Sequence, residues 1–591
     1  MEIPPPSPDA RDGPVFREKT TRRLENPVPG EYSIHSGIST VYSGASIIMI
    51  SRRRLTVPLF GLFFAAQAFA QGGAAAPRND AAASASHYWT RGLEPATNTE
   101  AQVEFPASVP QWGMFEVKIT GFPGDPERIV GDIMRGDVVD SFAEGFRDGD
   151  QWRIRFMPRM TGKNTFSIGP VKEEEGQWYL RGSFEVTAPE PGMHGPVHQA
   201  KKFHFSHEDG TPFYPVGTTC YAWLNQPESV RKQTVETLSK GYFNKIRFCI
   251  FPKHYVFNEK EPDLYPFLLK DGSDKEYDWD YTRPNPAYFA RIDEAVETLG
   301  KLGIECDLIL FHPYDKWGFS KMPAEANDFY LTYMAARYSA YANIWWSFAN
   351  EYDIMKEKTT DDWEHYAALI QAKDSYHHLR SIHNCVPFYD YTKPWITHCS
   401  IQRQDFYVCA ELTDQYRSKY NKPVVLDEIQ YEGDIPYMWG NIAGPELVRR
   451  FWEAAVRGGY ATHGETYVGH DGVLWWSHGG KLWGDSAPRL KFLKDILYQT
   501  PGLGLRRTTQ EWDDLAACAE DDPNYMLFYF GRNQPKYRDF NKLDPNESYH
   551  VEVIDTWNMT IDDRGIMKGR FHLDLPGKEF TAIRVVKVKG K

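Results

Sequence analysis

Between residues 203 and 500 the sequence alternates short apolar runs with segments of helical period, and this rhythm constrains the fold more than any other feature. Strand-like runs fall at Phe213–Trp223, Tyr242–Phe251, Ile304–Phe311 and Ile344–Phe348. Four more follow at Arg380–Val386, Ile396–Ile401, Pro423–Leu426 and Tyr460–Tyr467. Between several of them lie segments such as "YFARIDEAVETLGKLG" and "GPELVRRFWEAAVRGGY", whose apolar side chains recur every three or four residues. Strands and helices alternating in this way predict an α/β fold, a (β/α)8 TIM barrel with parallel strands.

The flanks have a different period. Residues 96–190 show short alternating runs ("WGMFEVKITGF", "GQWYLRGSFEVTA") punctuated by Gly, Asp and Pro, the pattern of an antiparallel β-sandwich. The stretch "APEPGMHGPVH" (188–198) reads as a hinge, so the barrel is expected over 191–501. Alternation returns in "YMLFYFG", "YHVEVIDTWNMT" and "TAIRVVKVKG", which predicts a small C-terminal β-sandwich over 502–591. A chain of 591 residues exceeds what one core serves, in keeping with several domains.

The N-terminal region carries an address. Arg52, Arg53 and Arg54 follow Met49, an apolar stretch runs from Leu55 to Ala70, and Ala68-Phe69-Ala70 ends it as an A-x-A cleavage pattern. Residues 49–70 are therefore expected to be a secretory signal, with 1–48 an unstructured extension or a mis-assigned start and 71–95 a low-complexity linker. A secreted or periplasmic location follows, with no membrane attachment after cleavage. Without residues 1–70 the chain has 59 basic and 74 acidic side chains, a net charge of −15. That balance argues against nucleic acid as a partner, because no basic surplus is present to neutralise phosphates. The seven cysteines form no CxxC pair and mostly sit in apolar strands, so buried thiols are expected rather than a zinc site. HExxH, GxSxG and GKS/GKT elements do not occur, and no metal or cofactor is expected at the site.

Chemistry enters at "WWSFANEYD" (345–353), where an apolar strand runs into Asn350 and Glu351. In (β/α)8 barrels the working residues stand at the C-terminal ends of strands, and Glu351 lies just past the fourth. The other strand that ends in carboxylates is "KPVVLDEIQYEG", with Asp427 and Glu428 at the end of the seventh. Side chains from strands four and seven can converge across the barrel mouth. Two carboxylates held close together share a proton, leaving one as an acid and one as a base or nucleophile, which is what cleavage of a glycosidic bond requires.

The pair Asn350-Glu351 and Glu428 resembles the clan A glycoside hydrolases, in which the acid/base follows an Asn at the end of strand four and the nucleophile ends strand seven. The resemblance implies Glu351 as acid/base, Glu428 as nucleophile, and retention of anomeric configuration. The stretches "WGMFEVKITG", "FYPVGTTCYAW", "ILFHPYDKWGF", "VVLDEIQYEG" and "GVLWWSHGG" are similar to multidomain bacterial glycosidases with an N-terminal β-sandwich of unknown function and a C-terminal β-domain. A carbohydrate is then the expected substrate, with a homo-oligomer open. Two other readings keep the barrel: a non-catalytic carbohydrate-binding protein, and a transglycosylase using the same carboxylate pair.

Further polar groups fall at strand ends. His254, His312 and Asp315 could hydrogen-bond sugar hydroxyls or pack loops. Arg247, inside a strand, could pair with a catalytic carboxylate or form a structural ion pair. His463 and Glu465 could reach the nucleophile or the sugar, or form a hydrogen-bonded rim. Aromatic side chains make up 15% of the chain, and Trp223, Trp317, Trp475 and Trp476 are candidates for stacking on a sugar face. Trp345 and Trp346 read as core, and His377-His378 as a solvated helix end. If the leader is cleaved as expected, N-terminal sequencing of exported protein should begin near Gln71, and finding residues 1–48 intact would contradict it.

Overall fold

The computed structural model describes residues 101–589 except 123–124, 172–179 and 512–513, so the expected leader and linker lie outside the described residues. At its centre, eight parallel strands form one sheet: β1 (Val216–Thr219), β2 (Lys245–Cys249), β3 (Glu305–Phe311), β4 (Ile344–Ala349), β5 (Arg380–Ser381), β6 (Cys399–Gln402), β7 (Val424–Glu428) and β8 (Tyr460–His463). Their spatial order is 5-4-3-2-1-8-7-6, and a parallel bridge between His383 and Ser400 joins β5 to β6 and closes the barrel. Each of the eight apolar runs in the sequence supplies one strand.

Helices α1 (Glu228–Leu238), α2 (Pro286–Lys301), α3 (Ala324–Tyr338) and α4 (Thr360–Lys373) follow β1 to β4 in turn. Helices α5 (Thr413–Tyr420), α6 (Gly444–Val456) and α7 (Ser486–Leu497) follow β6 to β8, while 382–398 cross from β5 to β6 without a helix. Local chemistry fixes several of these starts. Asn285 caps α2 by accepting from the Ala287 N–H, with Pro286 at the first helical position. Thr359 and Asp362 form a reciprocal capping box on α4.

The barrel lumen holds charge as well as hydrocarbon. Lys245 Nζ lies 2.7 Å from Asp307 Oδ2 and 2.8 Å from Asp427 Oδ1, and Arg247 Nε lies 3.3 Å from Asp307. Thr462 and Ser400 donate to Asp427 at 2.6 and 2.5 Å. Burial opposes ionisation of Asp427, but Lys245 and Arg247 outweigh it and hold the carboxyl well below the usual range. Trp345 and Trp346 are core, as expected, and their indole N–H groups donate to Glu305 and Asp374 at 2.9 and 3.1 Å. His378 is not solvated. It is fully buried, between Asp374 at 3.0 Å and the Tyr341 carbonyl at 2.9 Å, because the turn after α4 folds back under the barrel wall.

On the N-terminal side, a four-stranded antiparallel sheet and a five-stranded sheet, antiparallel except for its parallel edge strand Ser108–Pro110, enclose their own core, including Phe115, Ile154, Phe166 and Phe184. This sandwich docks through buried ions. Asp293 of α2 lies 2.8 Å from Arg155 of the sandwich and 2.8 Å from Arg337 of α3, and both guanidinium groups lie over the Phe146 ring. On the C-terminal side a six-stranded antiparallel sheet with a two-stranded companion packs on α6, where Tyr529 stacks on Trp452 at 5.4 Å. Removing Asp293 takes away the carboxylate that both guanidinium groups share and leaves each with one other, Glu116 at 2.6 Å from Arg155 and Asp148 at 3.0 Å from Arg337. Asp293→Ala should therefore cost roughly 1.5–3 kcal/mol in urea unfolding of the full chain, and a loss under about 1 kcal/mol would show that water and the remaining carboxylates replace it.

Candidate active site

The loops after the strands enclose a cleft of about 360 Å³ at the C-terminal mouth of the barrel. Glu351 reaches it from the end of β4. Asn350 N–H donates to the Phe311 carbonyl of β3 at 3.0 Å, and Tyr352 N–H donates to the His383 carbonyl just past β5 at 2.9 Å. Held on both sides, Glu351 takes a left-handed backbone (φ 55°, ψ 56°), a conformation uncommon for a side chain of this kind and persistent only where its surroundings fix it.

Glu428 is aimed by a bulge. Ile401 pairs with Leu426 but Gln402 pairs with Glu428, so Asp427 is the extra residue on β7. Asp427 turns down into the ion layer of the lumen, and Glu428 turns up into the cleft. Bulges re-aim side chains in this way at functional sites.

Donors converge on both carboxylates. Tyr221 donates to Glu428 Oε1, and Tyr314 donates to Glu351 Oε2. Gln404 Nε2 lies 3.2 Å from Glu428 Oε2. With its amide nitrogen turned toward the carboxylates, the orientation that satisfies both ends of the group, Gln402 donates to Glu351 Oε1 and Glu428 Oε2 at 3.2 Å each. Those two oxygens therefore stand no farther apart than twice that distance. His383 Nε2 is 4.0 Å from Glu428 Oε1. Burial, then the neighbouring Glu351 charge, push Glu428 up to about 7, against the pull of Tyr221, Arg247 and Lys253.

Lys253 is buried in the cleft wall inside an aromatic cage. Its Nζ lies 3.8 Å from the ring centre of Tyr221, 4.2 Å from that of Tyr314, 4.8 Å from that of Tyr255 and 5.4 Å from that of Trp476. Phe257, Tyr437 and Trp439 extend the aromatic lining, with Tyr437 stacked on Trp439 at 5.8 Å and 10°. Such rings offer flat apolar faces beside polar edges, which suits a sugar ring.

The structure brings some of the sequence-predicted residues together and sends others elsewhere. Glu351, Glu428 and Trp476 line the cleft. Asn350 is buried beside Glu351, and Arg247 stands below Glu428 in the ion layer. Trp223 packs edge-on against Phe248 and borders a different surface depression, beside Arg231 and Arg291. His312 is buried with Nε2 3.2 Å from the Phe251 carbonyl, and the His254 ring meets Trp317 edge-on. Asp315 accepts from the N–H groups of Trp317, Gly318 and Ser320, which folds its loop. His463 stacks on Phe243 with Nδ1 3.0 Å from Thr218, and Glu465 accepts from the Trp483 and Gly484 N–H groups. Trp317 and Trp475 are buried, with their indole N–H groups bonded to Glu261 and Thr218. These side chains are committed to loop and wall packing rather than to the cleft.

Sequence reasoning missed Tyr221, Lys253, Tyr314, Gln402 and Gln404. Tyr221 and Gln402 sit at or within two residues of a strand end, so position alone could have marked them. Lys253, Tyr314 and Gln404 are placed by loop paths with no periodic signal.

Comparison with known proteins gives the family of the chain. Residues 206–374 match the cellulase family, glycosyl hydrolase family 5, and 512–586 match a domain of unknown function, DUF5605. A candidate glycoside hydrolase from Bacteroides vulgatus ATCC 8482 has a crystal structure that is 33% identical to this chain, covering 82% of this chain and 100% of that one with a TM-score of 0.76. The chain belongs to the clan A glycoside hydrolases. It is thus a glycosidase, and its substrate is a carbohydrate. The endo-β-1,4-mannanase of Thermotoga petrophila is 14% identical over 65% of this chain and 99% of that one, with a TM-score of 0.35, and at that distance it says nothing about which sugar this glycosidase takes. No curated protein matches the chain.

Removing the Tyr221 donor should weaken the charged form of Glu428. Tyr221→Phe is expected to lower kcat/KM about 10- to 100-fold, the worth of one hydrogen bond to a charged group. Asp315→Asn should instead lower stability and leave KM unchanged. A larger KM effect from Asp315 than from Tyr221 would move the sugar site away from this cleft.

Proposed function

We propose that this glycosidase is exported and cleaves O-glycosidic bonds of oligo- or polysaccharides with retention, by double displacement, using Glu351 as acid/base and Glu428 as nucleophile. The observation that carries the reading is the Gln402 amide spanning the two carboxylates at 3.2 Å from each. Retaining enzymes hold their carboxyl groups about 5–5.5 Å apart, whereas inverting enzymes leave about 6.5–9.5 Å for a water. The upper bound set by Gln402 favours the shorter class.

The roles divide by environment. Glu428 has donors on both oxygens and the cations Arg247 and Lys253 nearby, a setting that favours its charged form once a sugar ring covers it. Glu351 then holds the shared proton. In the first step an Oε of Glu428 bonds to the anomeric carbon, the glycosidic C–O bond breaks, and Glu351 gives its proton to the leaving oxygen. In the second, Glu351 takes a proton from water, whose oxygen attacks the same carbon and releases Glu428 as carboxylate. Asp427 is an unsuitable rival for the attack because Lys245, Ser400 and Thr462 occupy its oxygens. The basic, apolar and A-x-A series of residues 49–70 supports export.

A 2-fluoro glycoside with a good leaving group should accumulate an ester on Glu428. Peptide mapping that places it on Asp427, or an inverted product by NMR, would refute the assignment.

The pH profile gives an independent check. Because Glu428 must be charged to attack and is raised to about 7, kcat/KM should climb as pH rises through that region. Glu351→Gln removes the like charge that raises Glu428, so its acidic limb should move to lower pH while the alkaline limb disappears. Activity on glycosides with strongly activated leaving groups should survive this substitution better than activity on unactivated ones. An unmoved acidic limb would mean that the two carboxylates do not share a proton.

A further inference from the structure

Outside the cleft, where β7 and β8 run on past the barrel, Glu432 and Glu465 sit side by side as parallel partners. Both are buried, with exposures of 2% and 1%. No lysine or arginine ion pair reaches either among the described residues. Each carboxylate accepts two backbone N–H bonds from one loop: Trp483 at 2.6 Å and Gly484 at 2.9 Å for Glu465, Asp485 at 2.9 Å and Ser486 at 3.1 Å for Glu432. Those four bonds leave lone pairs free on both groups and cancel no charge. Two adjacent buried carboxylates without a cation are costly.

His463 supplies the second observation. It is fully buried, its Nδ1 is taken by Thr218, and its Nε2 has no hydrogen-bond partner. One ring nitrogen of His463 and one oxygen from each glutamate lie within 4.8 Å of one another. Three points so spaced always share a position within about 2.8 Å of all three, and a zinc-like ion needs about 2.0–2.2 Å to nitrogen and carboxylate oxygen. No donor then has to move in by more than about 0.8 Å.

We propose that Glu432, His463 and Glu465 form a structural site for one divalent transition-metal ion of the zinc class. One imidazole and two carboxylates suit such an ion better than calcium or magnesium, which prefer all-oxygen shells. A dication neutralises the two glutamates and gives His463 Nε2 a partner. It also ties the ends of β7 and β8 to the N-terminus of α7 through the loop that the same glutamates grip. Residues 481, 483 and 485 of that loop are exposed, so the ion has a short path in from solvent. The site uses none of the groups assigned to the proton transfers of Glu351 and Glu428 and adds no step to them.

The full chain, purified without chelator, should carry close to one equivalent of transition metal by mass spectrometry of the ions. Chelation should lower Tm, and Zn²⁺ should restore it where Mg²⁺ does not. His463→Gln and Glu465→Gln should each lose the bound metal and the Zn²⁺-dependent rise in Tm. Should either fail to fold, Glu432→Gln, which keeps the shape of the side chain, gives the same reading. A metal-free chain whose Tm ignores both chelator and Zn²⁺ would overturn the proposal and leave a shared proton or a bridging water between the glutamates. Metal retained by all three variants would overturn it as well. Neither measurement requires turnover, so the outcome is independent of the glycosidase mechanism.

Discussion

The ion layer inside the barrel is the constraint on which the site depends. Lys245, Arg247, Asp307 and Asp427 occupy lumen positions that branched apolar residues commonly fill in this fold. Burying four charges is worthwhile only when every one is paired. That requirement fixes Asp427 downward, with Lys245, Ser400 and Thr462 on its oxygens. Because Asp427 is committed below, the bulge on β7 presents Glu428, and only Glu428, to the cleft. Arg247 meanwhile brings positive charge beneath the carboxylate expected to attack.

Above this floor, hydrogen bonding divides two chemically identical side chains. Glu428 meets Tyr221 and Gln404, Glu351 meets Tyr314, and Gln402 spans both. Burial and the neighbouring Glu351 charge raise Glu428, so the charged form of that side chain is held at a cost in this cleft. Lys253 adds a nearby cation that is held by rings rather than by a carboxylate. It can therefore influence the pair without neutralising either member.

Much of this was legible in the sequence, and the limits have physical causes. All eight barrel strands could be read because buried parallel strands are continuous apolar runs between amphipathic helices. Glu351 and Glu428 stood out because a carboxylate at the end of such a run is costly without a task. The same logic left His463 and Glu465 open between the sugar site and a hydrogen-bonded rim. They also end a strand, but on the face turned toward α7 and its loop, and a two-residue period cannot say which face of a barrel strand looks inward. A His-His pair after a helix is polar by composition and reads as solvated, whereas Asp374 and the Tyr341 carbonyl draw His378 inside. Loop residues such as Lys253 and Tyr314 depend on paths through space that leave no period in the chain.

Every strand of the barrel sends at least one residue into the lining of the cleft or onto its carboxylates. Tyr221, Lys253, Tyr314, Glu351, Cys385, Gln404, Tyr437 and Trp476 come from eight successive loops. The walls are thus separable parts mounted on a shared floor. A loop can lengthen, shorten or exchange its aromatic ring without disturbing the ion layer beneath. The lining of the cleft can therefore be altered one loop at a time, while Glu428 stays where the lumen charges and the bulge on β7 put it.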